Sequence, residues 1–218
     1  MQKSAPAFDY KKEYSQLYKP GKAPALIRVP AINYIAVRGT GDPNSADGEY
    51  QKALEILYAV SFTIRMAPKS GTEIEGYFPY VVPPLEGFWT SRTGSVDFNR
   101  KEDFAWISCI RLPEFVTPEV FSWAAETAAA RKKLDTSRAE FLPVEEGACV
   151  QCMHIGPYDD EPATIQKLRQ YMEKENLAED FSSGRMHHEI YLSDPRRTKP
   201  ERLRTVIRLP VREASEKS

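Results

Sequence analysis

The chain has 218 residues, with 30 Lys plus Arg against 31 Asp plus Glu for a formal net charge of −1, and 41% of it is hydrophobic. That length buries a core without help from disulfides or metal, and the even charge balance with no long basic run argues against nucleic acid or an anionic membrane as a partner. No stretch approaches the ~20 apolar residues of a membrane span; the start MQKSAPAFDYKKEY lacks a signal-peptide core, and three cysteines make no disulfide framework, so a reducing cytoplasm is the expected location.

Residues 1–25 are polar and basic, with Pro20, Gly21 and Pro24 near their end, and read as an arm too short for a helix-turn-helix domain. ALIRVPAINYIAVRG is β-branched and alternating, a strand expected to break near Pro30 and to close in the turn GTGDPNSADG. GEYQKALEILYAVSFTIRMA sets Tyr50, Ala53, Leu54, Leu57, Tyr58 and Phe62 at helical spacing, so that face is expected to pack inward. YFPYVVPPLEGFWTSR reads as an extended piece and DFAWISCIRLPEF as a strand, with Trp106, Ser108 and Ile110 on one face. A helix over 117–134 follows, with Thr117 as N-cap, Pro118 at the first helical position and RKK in the last turn. EEGACVQCMHIGPYDDEP then gives a strand and turn, and PATIQKLRQYMEKENL a helix burying Ile165, Leu168, Tyr171 and Met172. HHEIYLSDPRR and RLRTVIRLPVRE are two more strands around a turn at Asp194 and Pro195.

The order strand, helix, strand, strand thus occurs twice, and the tetrapeptide IRLP (110–113 and 207–210) closes the last strand of each copy. A duplicated α+β protein is expected: two tandem strand-helix-strand-strand modules about a pseudo-twofold axis, residues 26–116 and 140–214, joined by the helix at 117–134. A small-molecule cleft belongs at the junction between them.

GDPN (41–44), EYQKALEILY (49–58), VPPLEGFW (82–89), VQCMHIGPYDDEP (150–162) and HHEIYLSDPRR (187–197) resemble the stand-alone GyrI-like proteins, relatives of the effector-binding domains of some bacterial drug-responsive transcription regulators. The resemblance runs from about residue 8 to the C-terminus and makes 26–218 one small-molecule-binding domain. It implies the tandem fold, a ligand cleft on the pseudo-twofold axis, and planar, aromatic or cationic small molecules as ligands. A branch without a DNA-binding domain resembles hydrolases that open the cyclopropane of DNA-alkylating natural products, and this chain's motifs sit with that branch. One departure concerns the aromatic pair after LEG: Phe88 and Trp89 are followed by Thr90, where some members carry a second Trp.

Strand alternation puts His187, Glu189 and Tyr191 on one face and His188, Ile190 and Leu192 on the other. A carboxylate flanked by two proton-exchanging side chains is a reasonable general-base cluster, although a solvated face or a structural ion pair would give the same pattern. The resemblance assigns Glu189 as the ligand-facing acid and Tyr191 as proton donor or orienting group. Superposing the halves through IRLP sets Tyr80 beside Tyr191 and Phe78 beside Glu189, so Tyr80, Trp89 and Trp106 are expected to stack on a flat ligand, with core packing the competing role for Trp106. Opening a cyclopropane fused to a dienone needs a base for water and a donor for the developing oxyanion, and requires no metal or other cofactor. The alternative from another class is a non-catalytic binder that sequesters planar or cationic molecules, or a gyrase-inhibitor-like modulator. CVQC (149–152) lies in a strand, where core packing outweighs redox chemistry, and Cys152, His154 and His187 lack the second spaced pair of a zinc site. GTG at 39–41 is a turn without the third glycine of a dinucleotide loop, and GPYDDEP a turn leading into a helix.

Overall fold

The computed structural model describes residues 6–45, 48–91 and 100–214. Two short helices, α1 (Tyr10–Glu13) and α2 (Ser15–Tyr18), precede β1 (Ala25–Thr40), α3 (Glu49–Arg65), β2 (Leu85–Ser91) and β3 (Phe104–Arg111). Helix α4 (Pro118–Lys132) leads to β4 (Glu140–Ile155), α5 (Glu161–Lys174), the short β5 (Leu177–Glu179), β6 (His187–Tyr191) and β7 (Arg204–Glu213). Strand, helix, strand, strand therefore recurs as the sequence implies, with β5 added to the second copy and α1 and α2 in the segment before the first. The cap of α4 is as expected: Val120 N–H donates to Thr117 Oγ1 at 3.3 Å, Pro118 opens the helix, and Arg131 and Lys132 lie in its last turn.

The strands run antiparallel in the order β4-β1-β3-β2-β6-β7-β5, and β4 also pairs with β7, so six of them close into a barrel while β5 extends β7 on the outside. Each half gives three strands, and the halves meet at two seams, β1–β4 and β2–β6. β1 stays continuous through Pro30, because the pairing with β4 keeps one register on both sides, Val29 with Gly147 and Ala31 with Glu145. A proline costs only its own ladder bond there, and the expected break does not occur.

The two IRLP copies fix the internal correspondence. Ile110 pairs with Leu85, and Ile207 with Glu189, so the counterpart of Glu189 in the first half is Leu85 and that of Tyr191 is Gly87. This corrects the register that set Phe78 and Tyr80 against Glu189 and Tyr191: the ladder strand begins at Leu85, and Tyr80 makes only an isolated bridge to Phe8. The second IRLP lies inside β7, which continues to Glu213.

On α3 the buried stripe is Ala53, Ile56, Leu57, Val60 and Ile64, while Tyr58 and Phe62 are exposed. The large rings expected inward occupy the neighbouring stripe, because the inner face meets β1 and β3 closely and is filled by aliphatic side chains. α5 covers the other side of the ring, where Val150, Cys152, Ile165, Leu168, Met172, Ile207 and Leu209 pack together. Cys149 points into the main core and Cys152 under α5; both are free thiols, and burial pushes them up, to about 12 and about 11.

Inside the barrel lies a charged cluster. His188 has Glu146 at 3.0 Å from Nδ1 and Glu86 at 3.0 Å from Nε2, so a carboxylate faces each ring nitrogen. Arg208 donates to Glu146 (2.7 Å), to Gln151 Oε1 (3.0 Å) and to the Leu17 carbonyl (3.0 Å). Burial alone would raise the Glu146 carboxyl, but His188 and Arg208 override it and bring it down to about 2; burial alone would lower His188, and Glu146 and Glu86 hold it above the usual histidine range.

The N-terminal segment completes this interior and is no loose arm. Tyr18 donates to Glu86 at 3.1 Å, Gln151 donates to the Gln16 carbonyl at 2.6 Å, and Arg111 stacks between Tyr10 (4.5 Å) and Tyr14 (4.4 Å). Both arginines of the IRLP copies, Arg111 and Arg208, thus hold residues 10–17.

Candidate functional site

The seam between β2 and β6 brings residues of both halves together on the outer surface of the barrel. His187, Glu189 and Tyr191 alternate outward, opposite His188 in the interior, as the sequence pattern requires. His187 Nε2 donates to Glu189 Oε1 at 2.9 Å and the Tyr191 hydroxyl donates to Glu189 Oε2 at 2.8 Å. From β2, the Trp89 indole N–H donates to the Tyr191 oxygen at 2.9 Å. Gly87, paired with Glu189, makes this contact possible: a Cβ there would stand 2.6 Å from Trp89 Nε1 and 3.1 Å from the Tyr191 oxygen. Glu189 is only 6% exposed, and a carboxylate so buried is held by these donors.

The first turns of α3 and α5 contribute Tyr50 and Glu161, so the N-terminal ends of both helices lie at the site, where their dipoles favour negative charge. The Tyr50 ring stacks on Trp89 (centroids 5.9 Å apart, 28° between planes) and meets Trp106 edge-on at 5.0 Å. Trp106 lies flat over Gly39, where a Cβ would come within 2.3 Å of its ring. Phe104 meets Trp89 at 5.7 Å, and Tyr158 meets Tyr191 edge-on at 5.8 Å. A cavity of about 420 Å³ lies on the other side of Trp106, lined by Arg38, Thr40, Ala105, Ile107, Arg138 and Met186, and none of Glu189, Tyr191, Trp89 or Tyr50 is in its wall.

Glu161 is 1% exposed, lies within hydrogen-bonding reach of Glu189, and its Oε1 is buried without a hydrogen-bond partner. Burial, and then the negative charge of Glu189, push its carboxyl well above the usual range. Tyr191 is likewise held well above an ordinary phenol by burial and by Glu189, and Tyr158 is pushed up to about 12 by burial, Glu161 and Glu189. The arrangement is two buried carboxyl groups in mutual reach and phenolic O–H groups against flat aromatic walls, a set able to exchange protons.

Of the residues singled out from the sequence, Glu189, Tyr191, His187, Trp89 and Trp106 come together here, with Trp106 in contact through Tyr50. Tyr80 and Phe78 do not. Tyr80 donates to the Ser61 carbonyl at 3.4 Å and Phe78 packs on Phe8 and Phe115. Ser61 stands about 16 Å along α3 from Tyr50, eleven residues at the helical rise, so both rings belong to the packing around the N-terminal segment. Thr90 shares the face of Phe88, which turns inward and stacks on His188 at 4.1 Å, so the residue after Trp89 does not shape the cage. The sequence pattern does not single out Tyr50, Tyr158 or Glu161 for the site: Tyr50 falls on the inward helical face, and Glu161 is one of three acids in a turn. The signal for Glu161 was its place at the start of a helix, facing inward among apolar positions.

His154 is fully engaged, with Nδ1 at 2.8 Å from Thr164 Oγ1 and Nε2 at 3.0 Å from the Pro157 carbonyl. Among the described residues no group of three or more His, Cys, Asp or Glu is arranged to hold a metal ion, and no helix is long and apolar enough to cross a membrane.

Known structures share this architecture. An uncharacterized conserved protein from Listeria innocua is 46% identical, with 94% of this chain and 100% of that chain covered and a TM-score of 0.89. A protein described as a hydrolase from Listeria innocua is 45% identical over 94% of this chain and 100% of that chain, with a TM-score of 0.85. The C-terminal domain of EcmrR, at 13% identity, covers 88% of this chain and 98% of its own, and its TM-score of 0.54 shows the shared fold alone. A comparison with curated proteins gives no match. The model of the GyrI-like small molecule binding domain matches residues 22–212, nearly the whole barrel and both helices at the site, and the chain therefore belongs to the GyrI-like family.

Proposed function

We propose that the protein is a hydrolase that opens the cyclopropane ring of planar, DNA-alkylating cyclopropanoid compounds by adding water. The observation that carries this reading is the buried Glu189 carboxylate, gripped by His187 and Tyr191 and set beside the rings of Tyr50 and Trp89. The hydrolase from Listeria innocua, alike over its full length, supports hydrolytic chemistry on this scaffold.

Glu189 takes a proton from a water molecule placed against the strained methylene. The water oxygen forms the new C–O bond, the cyclopropane C–C bond breaks, and its electron pair enters the dienone to give a phenolate, which is then protonated. Aromatic walls hold the planar body, and a tyrosine O–H, Tyr191 or Tyr158, stabilises the oxygen that gains charge. On α3 the exposed Tyr58 and Phe62 continue the stripe from Tyr50 and Leu54, and Tyr58 feels Arg196 and Asp194 on the turn after β6; this stripe lengthens the surface for an extended planar ligand.

Incubation of a cyclopropanoid alkylator with the wild-type protein and with Glu189→Gln, followed by mass spectrometry of the ring-opened product, tests the reading. The wild type turns over, and the variant binds but reacts about 10²–10⁴-fold more slowly, the usual share of a general base. Binding without product in the wild type would instead identify a sequestering protein, in which Glu189 neutralises a planar cation.

A further inference from the structure

Glu161 has no part in that mechanism, yet its geometry is that of a functional group. It is an acid, 1% exposed, at the first position of α5, in contact with Glu189 and with one oxygen left unpaired in the interior. A buried polar atom without a partner is costly, and a ligand atom that fills the place relieves that cost. We propose that Glu161 is a second catalytic residue, a general acid that works against Glu189 as base, and that the site hydrolyses aryl-substituted three-membered heterocycles, oxiranes above all.

The chemistry follows from the spacing. Because Glu161 lies within hydrogen-bonding reach of Glu189, an atom attacked by water and an atom that leaves with the Glu161 proton must be neighbours in the substrate. In a cyclopropane fused to a dienone the oxygen that gains charge lies at the far end of the conjugated ring, beyond Glu161 while Glu189 holds the water. In an aryl oxirane the leaving oxygen is bonded to the attacked carbon. Glu189 accepts a proton from water, the water oxygen bonds to the benzylic carbon, the ring C–O bond breaks, and its electron pair takes the proton of Glu161. The product is a vicinal diol. Glu189 is left protonated and Glu161 ionised, and one transfer across their contact restores the starting state, so atoms and charge balance with water as the only co-reactant.

Glu161 faces Glu189 and Tyr191 on β6 and Tyr158 and Asp159 on the turn before α5; His187 bonds Glu189, Tyr50 lies near Glu189 and Tyr191, and His154 bonds Thr164, three residues along α5. Asp159 is paired with Lys101 at 2.9 Å and His154 is bonded on both nitrogens, and two buried carboxyls in mutual reach disfavour a second negative charge. The pair therefore keeps one proton between two carboxyls.

This inference rests on the reading of Glu189 as base, and the test separates the two. trans-Stilbene oxide and a cyclopropanoid are each incubated with wild type, E189Q and E161Q. The wild type forms stilbene diol above the buffer rate; E189Q loses both reactions; E161Q loses diol formation at least about 100-fold. Cyclopropane opening without diol formation overturns the oxirane activity and leaves the cyclopropanoid reading standing. Diol formation without cyclopropane opening does the reverse, and neither product from the wild type overturns both. If E161Q loses both reactions, the wild-type pH profile decides: diol formation that falls as pH rises past neutrality shows the acid, and a rate that climbs with pH throughout overturns it.

Discussion

The Tyr191 hydroxyl joins both halves of the molecule, donating to Glu189 from β6 and accepting from Trp89 on β2. Tyr191→Phe removes one oxygen and leaves both the Glu189 Oε2 and the indole N–H of Trp89 without this partner. Loss of one such donor costs about 10²–10³ in kcat, with substrate affinity little changed because the ring remains. Steady-state kinetics check this, and an unchanged kcat would remove Tyr191 from the mechanism. The chemical pattern at this scale was legible in the letters: HHEIY in a strand must put His187, Glu189 and Tyr191 on one side, whatever it packs against. Glu161 was not legible, since its burial and its contact with Glu189 depend on how α5 meets β6, a long-range relation absent from any local pattern.

Helix α3 serves the barrel with one stripe and the proposed ligand surface with the next. Its aliphatic stripe of Ala53, Ile56, Leu57, Val60 and Ile64 anchors it, which frees Tyr58 to stand 39% exposed above the site. Tyr58→Ala is expected to raise KM about 3- to 10-fold, the effect of one aromatic contact worth ~0.5–1.5 kcal/mol, with kcat and the melting temperature nearly unchanged. A fall in kcat with KM fixed would contradict a binding role. Periodicity located this helix but assigned its faces loosely, because aromatic and aliphatic residues weigh alike in an apolar count. The same limit explains the strand before LEGFW: YFPYVV has strand-like composition, yet two prolines after Val82 keep it out of the ladder, and the strand begins at Leu85. β6 and β7 carry no such interruption within their ladders' cores at the site, and they were found where expected.

At the scale of the whole molecule, the duplication makes a closed barrel whose interior is charged and whose outer seam carries the site. Arg208→Met would leave Glu146 facing His188 alone and the Leu17 carbonyl unbonded, and breaking a buried pair from one side costs about 3–5 kcal/mol. Chemical denaturation measures this directly; a loss below about 1 kcal/mol would show that the cluster is dispensable to the fold. The cluster also sets a pH dependence. Glu146, held low at about 2, gives stability that is complete above the ordinary carboxylate value and lost as pH falls toward 2. His188, held high, gives stability that is complete below about 6.5 and lost as pH rises through its raised value. Glu161, also held high, gives stability that is complete below the ordinary carboxylate value and lost as pH rises through its raised value. The melting temperature should therefore peak at mildly acidic pH and fall in both directions, whereas a flat profile from pH 3 to 8 would contradict these assignments, the window being about that spanned by the three groups.

The sequence foretold the paired modules through order and the IRLP register, and the closure of the two seams into one barrel came only from the way β4 turns from β1 to β7. That closure is what places Glu189 of one half against Trp89 of the other and so makes a site from two modules. The most direct measurement is the amount of ring-opened cyclopropanoid formed per protein molecule. Many equivalents from the wild type, falling to the uncatalysed rate in Glu189→Gln while the ligand still binds, is the predicted result; product that stops at one equivalent, or a Glu189→Gln variant as fast as the wild type, would contradict it.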